Sequence, residues 1–336
     1  MVTIKDVARE AKVSISTVSR VLNMSGYTSE ETREKVLKAV KKLNYNGSLV
    51  AAALIKKQTL TLGLIIPDIK NIFHSDLTRA VEDGANSHGF NIFLCNTDNN
   101  LQKEAEYIHL LIAKGVDGII LSSPEVKDKN IREVKEKFPE LPIVILGSKF
   151  ENLSVNEVLV DNFDGGYKAT SHLLELGHRD IAFISGGVDA YSTIQRYKGY
   201  KFALNESGIS INDDFVVFDK FYIESGYKNA LKLLQKNKRP TAIFAGNDSI
   251  AVGIYKAARE LKIKIPEQLS VVGFDNSQYA EILSPMLTTI HTPIKEMGQS
   301  AIEIIVKSIK EKQKSKETLV YYPTFIERES TRAIHS

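Results

Sequence analysis

Nine short apolar runs between residues 61 and 276 alternate with stretches of helical spacing. In order they are TLGLIIPDI, FNIFLCNTD, VDGIILSS, PIVILG, VLVDN, DIAFISGG, FVVFDKF, TAIFAGND and SVVGFDN. Runs this rich in Val, Ile and Leu, bounded by Gly, Asn and Asp, have the pattern of strands buried on both faces, as in a parallel sheet covered by helices. The helical stretches between them are the crossovers that parallel strands require. Nine strands exceed one compact doubly wound unit. They divide near residue 162 into halves of similar make-up, which predicts two lobes with a cleft.

Most of the runs end in a polar pair: Pro67-Asp68, Thr97-Asp98, Ser122-Ser123, Asp161-Asn162, Asn247-Asp248 and Asp275-Asn276. Ligands of open α/β sheets bind beyond the carboxyl ends of the strands, so these pairs mark the expected site, with capping of the following helices as the competing use. Arg196, in STIQRYKGY, offers a planar fork of five donors, and Asp275 an acceptor-only carboxylate. Together they suit a polyhydroxylated molecule, whose hydroxyls both give and take hydrogen bonds. Phe73 and Phe221 are candidate apolar faces for a sugar ring, with plain core packing as the alternative. SGG at 185–187 and DGG at 164–166 are too short to cradle phosphates and read as turns.

The first sixty residues are different in kind. They carry 11 Lys+Arg against 5 Asp+Glu, a net of +6, whereas the remainder carries 33 against 36, a net of −3. A small basic head on a mildly acidic body is the footprint of a nucleic-acid-binding module joined to a body with another task. TIKDVAREA opens a helix with Thr3 and Asp6 placed as a capping box, followed by Ile4, Val7, Ala8 and Ala11 at helical spacing. A second helix from Ser14 gathers Val18, Val21 and Leu22 on one side and Ser16, Ser19, Arg20 and Asn23 opposite. A third follows with Thr28 and Glu31 as its expected capping box and Val36, Leu37, Val40 and Leu43 as its stripe. Three short helices joined by a tight turn make a helix-turn-helix unit. Its second helix holds many Ser, Thr and Asn, which are mediocre helix formers. A helix in a major groove has a use for them: short donors and acceptors reach phosphates and base edges, and one Arg can read guanine bidentately.

TIKDVAREAKVSISTVSRVLN followed by EETREKVLKAVKKLNY closely resembles the head of the lac repressor (LacI/GalR) family of bacterial transcription regulators, and the similarity continues through nearly the whole chain. The resemblance implies that Ile15, Ser16 and Arg20 read bases while Ser14, Thr17, Ser19 and Asn23 hold phosphates and register. It implies effector contacts at Arg196 of R-x-x-G-[FY] and Asp275 of G-[FY]-D, with Asn247, Asp248 and Asp161 also at cleft positions. The family's usual N-P-F-F after the first strand is NIFH here, Asn71 to His74. The resemblance further implies that residues 46–59, NGSLVAAALIKKQT, form a hinge helix on DNA, with Leu54 wedged into the minor groove. Nine or so residues fall short of the ~12–15 that an isolated helix needs in water, so this hinge is expected to fold only on binding.

The expected fold is a small all-α helix-turn-helix head plus an α/β body of two doubly wound parallel-sheet lobes resembling periplasmic sugar-binding proteins. The head spans 1–46 and the linker 47–59; the N-terminal lobe takes 60–161 with 290–322 and the C-terminal lobe 162–289 with 323–336. The partners expected are a pseudo-palindromic double-stranded DNA operator, a small effector that is a sugar or sugar phosphate, and a second copy in a homodimer. The ending FIERESTRAIHS lacks leucine heptads that would add a tetramer. The alternative is a catabolite-control type of regulator whose corepressor is a phosphorylated carrier protein; NIFH points that way and Arg196 against it.

No G-x-x-x-x-G-K-[ST] loop, G-x-S-x-G elbow or H-E-x-x-H pair is present, and the seven His residues are scattered. No catalytic residue, metal ligand or cofactor is expected. The single cysteine, Cys95, lies in an apolar run and reads as a small core residue. No h-region opens the chain and no run of about 18 apolar residues occurs in it, so the expected location is the cytoplasm with no membrane span.

Overall fold

The computed structural model describes residues 2–22, 27–45, 58–125, 129–311 and 316–334. They form two compact units, Met1–Leu60 and Thr61–Ser336.

The first unit holds α1 (Ile4–Ala11), α2 (Ile15–Leu22) and α3 (Glu30–Lys42). Asp6 closes the start of α1 by accepting from the backbone N–H of Thr3 at 2.9 Å and from its hydroxyl at 2.7 Å. Val7, Ala8 and Ala11 of α1, Val18 and Val21 of α2, and Val36 and Ala39 of α3 make one small core. Two expectations for α3 are corrected. Its cap is Ser29 rather than Thr28, with the Ser29 hydroxyl accepting from Thr32 N–H. Leu37 is 48% exposed, whereas Ala39 is buried. At 100° per residue Val36, Ala39, Val40 and Leu43 form one stripe, and Leu37 falls beside it. Asn23 and the linker segment 46–57, including Leu54, lie outside the described residues.

Among the described residues the body is two six-stranded sheets. Its elements are β1 (Thr61–Ile66), α4 (Ile72–Ser87), β2 (Asn91–Asn96), α5 (Leu101–Ala113), β3 (Gly118–Ser122), α6 (Asn130–Lys137), β4 (Ile143–Leu146), β5 (Asn156–Val160), α7 (Asn162–Glu175), β6 (Ile181–Ser185), α8 (Tyr191–Glu206), β7 (Val216–Phe218), α9 (Ile223–Leu234), β8 (Ala242–Ala245), α10 (Asp248–Glu260), β9 (Ser270–Asp275), α11 (Gln278–Ile282), β10 (Thr288–His291), α12 (Ile294–Glu311), β11 (Thr318–Tyr321) and β12 (Thr324–Ile326). The first sheet runs β11-β5-β4-β3-β1-β2 and is wholly parallel. The second runs β12-β10-β9-β8-β6-β7, with only β12 antiparallel. Strand order reverses at β1 beside β3 in the first and at β6 beside β8 in the second, the switch points where such sheets hold ligands.

The chain passes between the sheets three times, after Val160, after His291 and after Tyr321. Because β10 is a strand of the second sheet through His291, the return expected at residue 290 comes after 291. Helix α12 then buries Met297, Ala301, Ile302 and Ile305 in the first-lobe core, packed on α4 and on β3, β4 and β5. Strands β10, β11 and β12 are additional to the nine read from the sequence; β11 alternates exposed and half-buried positions at a sheet edge, so it carries no continuous apolar run. Cys95 is buried in the first lobe, and burial pushes its thiol up. Among the described residues no helix is long and apolar enough to cross a membrane.

Candidate functional site

Glycines set the position of the central arginine. Helices α7 and α8 cross where Gly166 and Gly199 face each other's backbones: a Cβ on Gly166 would run into the main chain of Arg196, and one on Gly199 into the Phe163 carbonyl. This corrects the reading of DGG at 164–166 as a turn, since all three residues lie in α7. The close approach is possible because glycine has no side chain to hold the helices apart.

Arg196, in the second turn of α8, is thereby buried to 6% exposure with its planar group 3.5 Å from the centre of the Phe274 ring. Its Nε donates to Asn162 Oδ1 at 2.8 Å, one terminal nitrogen donates to the carbonyl of Gly246, and the other pairs with Asp275 Oδ1 at 3.5 Å. Burial lowers the guanidinium to about 10, with Asp275 opposing; Arg196 therefore stays charged near neutral pH. Burial likewise pushes the Asp275 carboxyl up while Arg196 holds it down. Asp275 has a φ of 101°, a conformation that costs free energy in a residue with a side chain and gathers at functional positions.

The pair faces a cavity of about 510 Å³ between the carboxyl ends of the two sheets. Residues beyond the ends of strands at both switch points line it: Asp68 after β1, Ser123 after β3, Gly187 after β6 and Asn247 after β8. Of the seven effector contacts expected from the sequence, Phe73, Arg196, Phe221, Asn247 and Asp275 are on this wall.

Asp161 and Asp248, also expected there, are not among the lining residues. Asp161 caps α7 by accepting from Asp164 N–H at 2.9 Å. Asp248 is 1% exposed, and its carboxylate accepts from Ser277 N–H, the Ser277 hydroxyl and the Thr289 hydroxyl. Burial, and then the charge of Asp275, push it to about 7. The wall takes the first helical residue of one pair, Asn162 of α7, and the helix cap of the other, Asn247, which also accepts from Ile250 N–H at 2.9 Å at the start of α10.

Three further wall residues bear on the site. Asn162 was marked in the sequence only as half of a polar pair. His74, at the departure from N-P-F-F, is 7% exposed, with Nδ1 3.1 Å from Ser122 Oγ and its ring edge-on to Phe73. Burial lowers it to about 4, against the opposing charge of Asp68, so the ring is neutral. Tyr222 gave no sequence signal; it reaches the wall beside Phe221 and touches the other lobe.

In the head, Ser14 accepts from Thr17 N–H at 3.1 Å, and its hydroxyl lies 2.7 Å from that of Ser16 and 2.8 Å from that of Thr17. Ile15 is 45% exposed, Ser16 and Arg20 are exposed, and Thr17 and Ser19 are half-buried. The polar side of α2 thus faces away from the core of Val18 and Val21.

Residues 3–48 match the model of bacterial regulatory proteins of the lacI family, and residues 170–331 match a periplasmic binding protein-like domain. The chain is 37% identical over 335 residues to the HTH-type transcriptional repressor PurR of Vibrio atlanticus, covering 100% of both chains. It is 39% identical to the HTH-type transcriptional regulator DegA of Bacillus subtilis (99% of both), and 37% identical to the catabolite control protein A of Priestia megaterium (98% of this chain and 99% of the other). Among solved structures, the lac repressor dimer bound to operator and the anti-inducer ONPF superposes with a TM-score of 0.88 at 27% identity, covering 99% of each chain. A LacI family regulator from Enterococcus faecium with bound ribose gives 0.74 at 34% identity, covering 82% of this chain and 100% of that one. The protein belongs to the lacI family: it is a DNA-binding transcriptional regulator with a helix-turn-helix head and an effector-binding body of periplasmic-binding-protein type. The family is one of transcriptional regulators, not enzymes.

Proposed function

We propose that this regulator is a homodimeric, cytoplasmic repressor whose heads bind a pseudo-palindromic operator and whose cleft takes a small effector, a sugar or sugar phosphate. The observation that carries the effector is the buried Arg196–Asp275 pair on the wall of a cavity of about 510 Å³. A donor fork beside an acceptor-only carboxylate, with Phe73 and Phe221 on the same wall, matches hydroxyls along the edge of a ring and an apolar face. The Enterococcus relative with bound ribose supports the same chemistry. In the head, Ile15, Ser16 and Arg20 would read bases, and Ser14, Thr17, Ser19 and Asn23 would hold phosphates. Leu54 would wedge into the minor groove.

A two-fold dimer presents two recognition helices to two half-sites. Phe93 and Leu94, 51% and 45% exposed on edge strand β2, supply an apolar edge that a second copy would cover. The lac repressor dimer supports this arrangement. An effector that binds one lobe arrangement better than another shifts the population, and so changes the spacing of the heads.

The test is calorimetry and thermal shift of the full chain with pentoses, hexoses, their phosphates and purine bases, followed by operator binding with and without each binder. Saturable binding that alters operator affinity is expected. The similarity to catabolite control protein A favours a second reading, in which a phosphorylated carrier protein is the corepressor. Indifference to every small molecule, together with a carrier-dependent gain in operator affinity, would establish that reading instead.

A further inference from the structure

We infer that the cavity selects an uncharged, oxygen-rich ligand and rejects its phosphate ester. The inference deepens the effector reading above and rests on it. Among the charged residues of the wall carboxylates outnumber cations: Asp68, Asp98, Glu125, Asp189, Asp219 and Asp275 line the cavity, against Arg196 and Lys220. His74 is on the same wall, and burial keeps its ring neutral. Asp98 pairs with Lys103 at 2.6 Å and Asp275 with Arg196 at 3.5 Å, while Asp68 accepts from Tyr222 and Asp219 from Asn229, neutral donors that leave the wall with more carboxylates than cations.

Arg196 cannot serve as an anion clamp without breaking the site. Of its five N–H groups, three are directed at Asn162, Gly246 and Asp275. The two that remain, one on each terminal nitrogen, suffice for hydroxyl or carbonyl oxygens. A phosphate seated on them would lie against the Asp275 carboxylate, and like charges brought together out of water repel strongly. Lys220 follows Asp219 directly in the chain, and Asp219 is on the same wall.

The wall still asks for oxygen. Helix α8 begins at the cavity, where Gly187 through Ser192 are lining residues, and Ala190 at its N-cap offers no side-chain acceptor to the N–H groups of its first turn. Asp189, immediately before that cap, brings negative charge to the helix end. Neutral donors and acceptors around it, Asn162, Ser192, Asn247 and Thr292, complete a surface made for hydroxyls.

The test compares matched pairs on the full chain by calorimetry: ribose with ribose 5-phosphate, and glucose with glucose 6-phosphate. Inorganic phosphate is the probe of an anion subsite. The neutral member of a pair should bind and its ester should bind at least about tenfold more weakly, as like-charge exclusion requires. Added salt should narrow the gap, and so should the double variant Asp189→Asn with Asp219→Asn. Inorganic phosphate should leave the melting temperature unchanged. An ester that binds as tightly as its parent sugar, or saturable stabilisation by phosphate, overturns the inference while leaving the cleft as the effector site. Absence of binding by both members of both pairs, with operator affinity unmoved, removes the effector reading and the inference with it.

Discussion

The phenolic hydroxyl of Tyr222, in the second lobe, donates to Asp68 Oδ2 of the first at 2.8 Å, and Asn99 of the first lobe donates to the same phenol at 3.4 Å. Both residues of the shorter bond line the cavity, so a contact between lobes sits on the wall of the proposed effector site. Removing it should favour lobe opening. The Tyr222→Phe variant is expected to lose roughly 1 kcal/mol of closure free energy, the net worth of a half-exposed hydrogen bond. Small-angle scattering should show a larger radius of gyration, and stopped-flow a faster ligand off-rate by about fivefold. Burial and Asp68 raise the Tyr222 phenol to about 12. A raised phenol contributes stability that is present below its unfolded value near 10 and lost as pH rises toward 12, so the closure difference between wild type and variant should vanish over that window.

Arg196→Ala leaves Asp275 buried without its partner, and Asp275→Ala leaves Arg196 so. Each is expected to cost about 3–5 kcal/mol of stability and to abolish the ligand response. Arg196→Lys should fail as well, because a point charge cannot serve Asn162, Gly246 and Asp275 at once. Operator binding by the ligand-free variants at low temperature should persist. Calorimetry and a gel-shift titration check the two halves separately.

Gly199→Ala tests how the arginine is placed. The new Cβ meets the carbonyl of Phe163, a backbone atom that cannot swing aside. A loss of about 1–3 kcal/mol in denaturant unfolding is expected, with ligand affinity falling further than stability because α8 carries Arg196. Ligand affinity equal to wild type would separate the helix crossing from the site.

His74 should make the body acid-sensitive. Burial lowers it to about 4 from an unfolded value near 6.5, so the unfolded chain binds its proton first. Its contribution to stability is complete above about 6.5 and is lost as pH falls toward 4. Melting temperatures from pH 7 to 4 should fall more steeply for wild type than for His74→Asn. Parallel curves would show that the ring is already protonated in the fold.

In the head, Arg20→Ala is expected to cost roughly 1–3 kcal/mol and to relax preference at one base position per half-site. Ser14→Ala should weaken operator and random DNA about equally, through loss of the phosphate contact proposed for it and of its bond to Thr17 N–H. Titrations on both DNAs at several salt concentrations distinguish the two behaviours.

The sequence by itself determined the sheets and the head. Strands such as β1 and β9 are buried on both faces and therefore written as unbroken apolar runs, and α2 separates Val18 and Val21 from its hydroxyls because 3.6 residues make a turn. It marked the strand ends as the ligand side. Which residue of each end reaches the cavity was decided by the tertiary structure: Asn162 rather than Asp161, and Asn247 rather than Asp248, because the choice depends on where a strand leaves its sheet and which way the next helix turns. Strands β10 to β12 stayed illegible because they are short and two of them lie at sheet edges. The meeting of Tyr222 with Asp68 spans 154 residues of chain. No local pattern encodes such a contact, since it exists only once the chain, crossing three times between the lobes, has brought the carboxyl ends of the two sheets together.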